Sequence, residues 1–187
     1  MPQGRRTSST WATTISTSPR SCASDEVAAR LATVRTRIER AGGDPSRVRV
    51  VGVTKGFGLD AVQAALKAGL PDLGENYAAE LVEKATAAVG DAVWHFLGAV
   101  QRNKVPDLAP LVGMWESVAR ESEGERIARF APGASVLVQV DTTGLPGRNG
   151  CPPADAAGLV ERLRDLGLAV RGLMTVAPPG PAAAGAF

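Results

Sequence analysis

The sequence predicts an α/β protein built on a parallel sheet, in the form of a (β/α) barrel of which about six strand–helix units are in view. Three observations predict it. Short apolar runs alternate with stretches whose apolar residues recur at helical spacing. Glycine or proline marks many of the junctions. Consecutive strand–helix units of this length need right-handed crossovers, which make neighbouring strands parallel. An open doubly wound sheet is the competing architecture. Such sheets commonly carry a glycine-rich cradle for nucleotides, and the chain has neither a Gly-x-Gly-x-x-Gly run between a strand and a helix nor a Walker loop. The barrel is therefore the expected form.

Ordered structure is expected from Ser24-Asp25-Glu26, which reads as an N-cap followed by acids in a first turn. Val27, Leu31, Val34 and Ile38 then fall on one helical face, and Gly42-Gly43 ends the helix. VRVVGVTK, residues 48–55, is β-branched and nearly continuously apolar, as expected of a strand buried on both faces. LDAVQAALKAG reads as a helix with a terminal glycine, PDLGEN as the second strand and AAELVEKATAAV as the next helix. AVWHFLGAV is the third strand, with a weaker helix around Lys104 to Leu111. MWESVA and ESEGERIARFA form the fourth pair, and ASVLVQVDT and PADAAGLVERLRDLG the fifth. AVRGLMTVA is the sixth strand, after which PPGPAAAGAF shows no further pattern. A barrel of this type closes with eight strands, typically over ~250 residues. A domain over residues 25–187 is thus expected to lack its last strands.

Composition narrows the function. The 187 residues fit one domain, and 44% hydrophobic content is enough to bury a core. With 21 basic and 19 acidic side chains interspersed, the net charge of +2 points away from a nucleic-acid face and toward small ligands. Cys22 and Cys151 match no metal or redox spacing, so a reducing, cytoplasmic setting is expected. No run approaches the ~20 apolar residues of a membrane helix. Residues 1–24 are rich in Ser, Thr and Arg without an acid or an apolar block, which excludes a secretory signal. A transit peptide shares that composition; the expectation is a disordered extension or a start codon taken upstream of the true one.

Chemistry is expected where strands end, because the ends of successive barrel strands share one mouth. Lys55 ends the first strand, and the apolar run before it is expected to shield its amine from water; an uncharged amine can attack an aldehyde to form an imine. A lysine simply capping a strand into solvent is the plainer reading. Gly74-Glu75-Asn76-Tyr77 ends the second strand, and Trp94-His95-Phe96-Leu97-Gly98 with Gln101, Asn103 and Lys104 ends the third. Taken singly, Asn76 reads as a turn or cap, His95 as a hydrogen-bonded core histidine, Lys104 as a solvated charge and Met174 as core. Glu75 and Glu80 do not make a convincing acid/base couple, since Glu80 lies in a helix rich in exposed charge. His95, the single histidine, has no serine and carboxylate partners in sequence, and one histidine with two distant cysteines gives no metal ligand set.

Read in order, VVGVTKG, LGENYAAELVEK, WHFLGAVQRNK, VLVQVDTTGLPGRNGCPP and VRGLMTV resemble the YggS/PROSC family of pyridoxal phosphate homeostasis proteins across about residues 25–177. The resemblance implies an alanine-racemase-like, fold-type III barrel that binds pyridoxal 5′-phosphate (PLP) as a Schiff base on the lysine of the first strand, here Lys55. It further implies a cofactor site that includes Asn76, His95 and Met174, and a monomer when the barrel is complete. PLP and PLP-dependent apoenzymes are the implied partners, with no nucleic acid and no membrane. The family's Ser-x-Gly-Met-Ser and Gly-(Ser/Thr)-x-x-x-Arg-x-Gly segments, which hold phosphate and pyridine nitrogen, do not occur in this chain. The implied role is to hold and deliver PLP without established turnover. A PLP-dependent racemase is the alternative, which needs acid/base groups on both faces of the ring where the sequence offers Lys55 for one. A non-functional fragment is the third reading.

Overall fold

The computed structural model describes residues 23–178, so the extension expected over residues 1–24 falls, up to residue 22, outside the described residues, as does the tail from residue 179. The elements alternate as expected: α1 (Ser24–Arg40), β1 (Gly52–Val53), α2 (Leu59–Lys67), β2 (Asp72–Glu75), α3 (Ala78–Ala87), β3 (Val93–Phe96), α4 (Val105–Leu108), β4 (Val112–Val118), α5 (Glu121–Phe130), β5 (Ser135–Gln139), α6 (Ala156–Asp165) and β6 (Ala169–Met174). All five strand pairs are parallel, and the sheet order is β1-β2-β3-β4-β5-β6. A doubly wound sheet reverses its order at a switch point. This one does not reverse, which is the winding of a barrel wall. Among the described residues β1 and β6 are the two edges.

Side-chain alternation along the strands sorts the two faces. Leu73, Trp94, Phe96, Trp115, Val136 and Val138 are buried, and they share one core with Val62, Leu81, Leu108, Ile127, Leu159 and Leu163 of the helices. Trp115 meets Phe96 edge to face, with ring centroids 5.8 Å apart. Close contact in this layer also fixes Gly124, since a Cβ there would collide with Leu163 of α6. The opposite, inward side carries Asp72, Gly74, His95, Glu116 and Leu137. Helices α1, α2 and α6 end alike: the N–H groups of Gly43, Leu70 and Leu168 return to the carbonyls of Ile38, Ala65 and Leu163, which closes the last turn.

Most elements are shorter than the sequence runs that predict them, the third strand for example pairing only over Val93–Phe96, and three boundaries have an evident cause. The first strand pairs only at Gly52–Val53 rather than over 48–55: its one neighbour, β2, is itself only Asp72–Glu75, and the chain turns away at Thr54–Phe57. Helix α4 covers Val105–Leu108 rather than Lys104 to Leu111: Pro106 sets its first turn and Pro110 cannot donate within a longer helix. Ser24 lies inside α1, with Ala23 as the cap residue.

Candidate functional site

The chain leaves β1 through a four-residue turn, Thr54-Lys55-Gly56-Phe57, closed by the Phe57 N–H donating to the Thr54 carbonyl at 3.0 Å. Gly56 has φ +73°, the left-handed value that position three of a type II turn requires. Lys55 is therefore the second residue of a tight turn, and it is exposed. The expectation that the apolar run before it would shield its side chain is not met, because the turn lifts the residue past the paired end of the sheet. Val53 pairs with Gly74, after which one chain enters the turn that carries Lys55 and the other leaves β2 toward Asn76.

Beneath that turn lies a buried polar cluster. The Lys84 ammonium on α3 donates to the Thr54 carbonyl (2.8 Å), to Glu75 Oε1 (2.6 Å) and to Glu80 Oε2 (2.9 Å), which uses all three of its protons. Glu75 Oε1 also accepts from the Thr54 hydroxyl at 2.6 Å, and Glu80 Oε2 accepts from the Gly56 N–H at 2.9 Å. Glu75 and Lys84 are buried, and Glu75 Oε2 has no partner among the described residues. Burial works against the Lys84 charge, but the Glu75 and Glu80 carboxylates outweigh it and raise its pKa above the ordinary lysine value. The Glu80 carboxyl is held below its ordinary value, first by the Gly56 N–H and then by Lys84. Glu80 is thus not the solvated helix charge expected from sequence. One helical turn separates it from Lys84, and the pair turns inward to the β1–α2 turn.

His95 lies on the inward side of β3, buried, with Nδ1 2.6 Å from Glu116 Oε1 and Nε2 2.9 Å from Asp72 Oδ1. Arg49 approaches Asp72 at 3.6 Å, giving an alternating row of charges from the segment before β1 to β4. Only a doubly protonated ring donates to both carboxylates. Burial opposes that charge, yet Glu116 and Asp72 together lift the His95 pKa above its ordinary value. The row borders a cleft of about 650 Å³ lined in part by Val51, Leu137 and Arg171.

The remaining strand ends carry neutral polar groups. Asn76 is half-buried just after β2, and its carbonyl packs directly against Gly98, where a Cβ would collide with it. Gln139 at the end of β5 exchanges hydrogen bonds with Asn149, which also donates to the Ser117 carbonyl at 3.4 Å. Met174 closes β6 in register with Gln139 and is half-buried. Lys104 is exposed at the start of α4.

Of the residues singled out from sequence, Lys55 and Asn76 thus lie just past the ends of the paired strands β1 and β2, His95 lies one strand over among inward charges, and Met174 sits on the far edge strand. Sequence reasoning passed over Lys84, Asp72, Glu116, Gln139 and Asn149. The i,i+4 spacing of Glu80 and Lys84 is the one local signal that pointed to any of them.

A family model for the alanine racemase N-terminal domain matches residues 23–181. The chain is 34% identical over 162 residues to a pyridoxal phosphate homeostasis protein of Pseudomonas aeruginosa, which covers 83% of this chain and 70% of that one. It is similar to the solved structure of PipY of Synechococcus elongatus with PLP bound, at 31% identity and a TM-score of 0.72, covering 85% of this chain and 74% of that one. An alanine racemase of Clostridium difficile shares the fold at 17% identity and a TM-score of 0.67, with 81% of this chain and 40% of that one covered.

Proposed function

This chain belongs to the pyridoxal phosphate homeostasis proteins, a family built on the alanine racemase N-terminal domain, and from that membership we propose that it holds PLP as a Schiff base on Lys55 and takes part in intracellular PLP homeostasis. The observation that carries the reading is the turn at the end of β1. It presents the one lysine of the first strand, exposed, on a backbone fixed at both flanking residues.

The residues fit the aldehyde end of the cofactor. PLP supplies an aldehyde that condenses with a primary amine, the two amine hydrogens leaving with the aldehyde oxygen as water. Lys55 provides that amine in the open. Lys84, the nearest other lysine on α3, is buried and spends its protons on three acceptors, so it does not compete. Asn76, just past the end of the neighbouring strand β2, is the residue we assign to the rim there. His95 on the inward side of β3 and Met174 at the end of β6 are the further residues we assign to the site from the family resemblance. The relatives' Ser-x-Gly-Met-Ser and Arg-containing segments would add phosphate donors that these residues do not replace.

The protein acts as a carrier and regulator that supplies PLP to apoenzymes, residues 25–187 forming its PLP-binding unit. We read a carrier rather than a racemase from the family, and His95 is in addition not free to act as a second acid/base group. Racemisation needs a second acid/base group opposite the lysine. The single histidine of the chain has both ring nitrogens committed to carboxylates. The test is to saturate purified protein with PLP and follow common amino acids by chiral chromatography. No turnover above free PLP is expected; sustained, Lys55-dependent racemisation would replace the carrier by an enzyme.

A further inference from the structure

We propose that Lys84, Glu75 and Glu80 are positioning residues for Lys55: a buried clamp that sets the backbone of the turn from which the Schiff-base lysine projects. The inference rests on the reading of Lys55 given above and assigns a role to a cluster that reading does not use.

The geometry is specific to the turn. Lys55 has two flanking peptide groups, and both end on this cluster: the Thr54 carbonyl on the Lys84 ammonium and the Gly56 N–H on Glu80. The Thr54 hydroxyl is held as well, by the same Glu75 oxygen that faces Lys84. Three elements are tied together: the β1–α2 turn, β2 through Glu75 and α3 through Glu80 and Lys84. Nothing about packing requires it. A buried ion pair is commonly no more stabilising than apolar residues of the same volume. What the cluster does that apolar residues cannot is bind a carbonyl and an N–H at once. Oxygen and nitrogen of the turn are thereby each given a fixed partner, and the Lys55 Cα holds one position. Orientation fixed before reaction lowers the barrier to condensation, because that order need not be created during the encounter. Glu80 is the member to perturb, since it is part-exposed and lies on a helix that alanine suits.

Two measurements test the clamp. In the cofactor-free protein, the Gly56 amide should exchange its hydrogen about tenfold faster in Glu80→Ala than in the natural chain, because its acceptor is gone. With added PLP, Schiff-base absorbance should form about tenfold more slowly in Glu80→Ala, and Glu80→Gln, which keeps a carbonyl oxygen for Gly56, should recover most of that rate. A denaturation midpoint measured on each variant separates positioning from global stability. Equal rates in the natural chain and Glu80→Ala would overturn the clamp, as would a Glu80→Gln variant with the natural midpoint and no recovery of rate. Absence of any Schiff base in the natural chain, with Gly56 exchange still dependent on Glu80, would instead refute the reading of Lys55 and with it the clamp's purpose.

Discussion

Replacing Lys84 by methionine keeps most of the side-chain volume and removes the ammonium, which isolates the charge as the perturbed quantity. Glu75 would then lie fully buried with the Thr54 hydroxyl as its one donor, since its Oε2 already has no partner among the described residues. Breaking a buried pair by deleting one partner costs ~3–5 kcal/mol, because the remaining charge stays buried without compensation. That is a large share of the ~5–15 kcal/mol by which a domain of this size is stable. In urea, with a slope of ~2 kcal/mol per molar, the midpoint of Lys84→Met should fall by about 2 M. The double variant Lys84→Met/Glu75→Gln removes the orphaned charge while keeping an oxygen for Thr54, and it should regain most of the loss. Circular dichroism through a urea titration reads both. A Lys84→Met midpoint within about 0.3 M of the natural chain, or a double variant no better than the single, would show that the ammonium is not buried against Glu75 as described.

Two further predictions concern the inward charges and the rim. His95 has its folded pKa raised by Glu116 and Asp72, so its contribution to stability is complete below the ordinary imidazole value of about 6.5 and is lost as pH rises through the elevated folded value. The melting temperature should therefore fall as pH is raised above neutrality, and His95→Gln should flatten that slope; an unchanged slope would contradict the charged ring. Gly98→Ala should cost about 1–3 kcal/mol or more, because the added methyl meets the Asn76 backbone carbonyl rather than a movable side chain; a midpoint shift indistinguishable from zero would contradict the close approach.

Much of the fold was legible because parallel strands covered by helices need long apolar runs, and VLVQV or VWHF has few other uses. Strand limits were less legible. VRVVGVTK is apolar throughout, yet only Gly52–Val53 find partners, since pairing depends on what lies alongside and not on the run itself. The site divided in the same way. Lys55 and Asn76 are local features of strand ends, and those two ends are neighbours because β1 pairs with β2. The cluster around Lys84 was hidden because a helix with Glu80, Glu83 and Lys84 reads the same whether Lys84 faces water or folds inward beneath a neighbouring turn. Glu75 gave no warning either, as buried carboxylates are rare without a partner, and its partner lies nine positions on. For His95, the type of environment was readable and the partners were not: Asp72 and Glu116 come from the strands on either side, brought in by sheet register.

The central claim, that Lys55 is the lysine that carries PLP, is tested most directly by trapping the bond. Protein mixed with PLP is reduced with borohydride, digested and mapped by mass spectrometry, with Lys55, Lys67, Lys84 and Lys104 all in view. The account predicts stoichiometric pyridoxyl label on Lys55 and none on buried Lys84. Label concentrated on Lys67 or Lys104, with Lys55 unmodified, would contradict it.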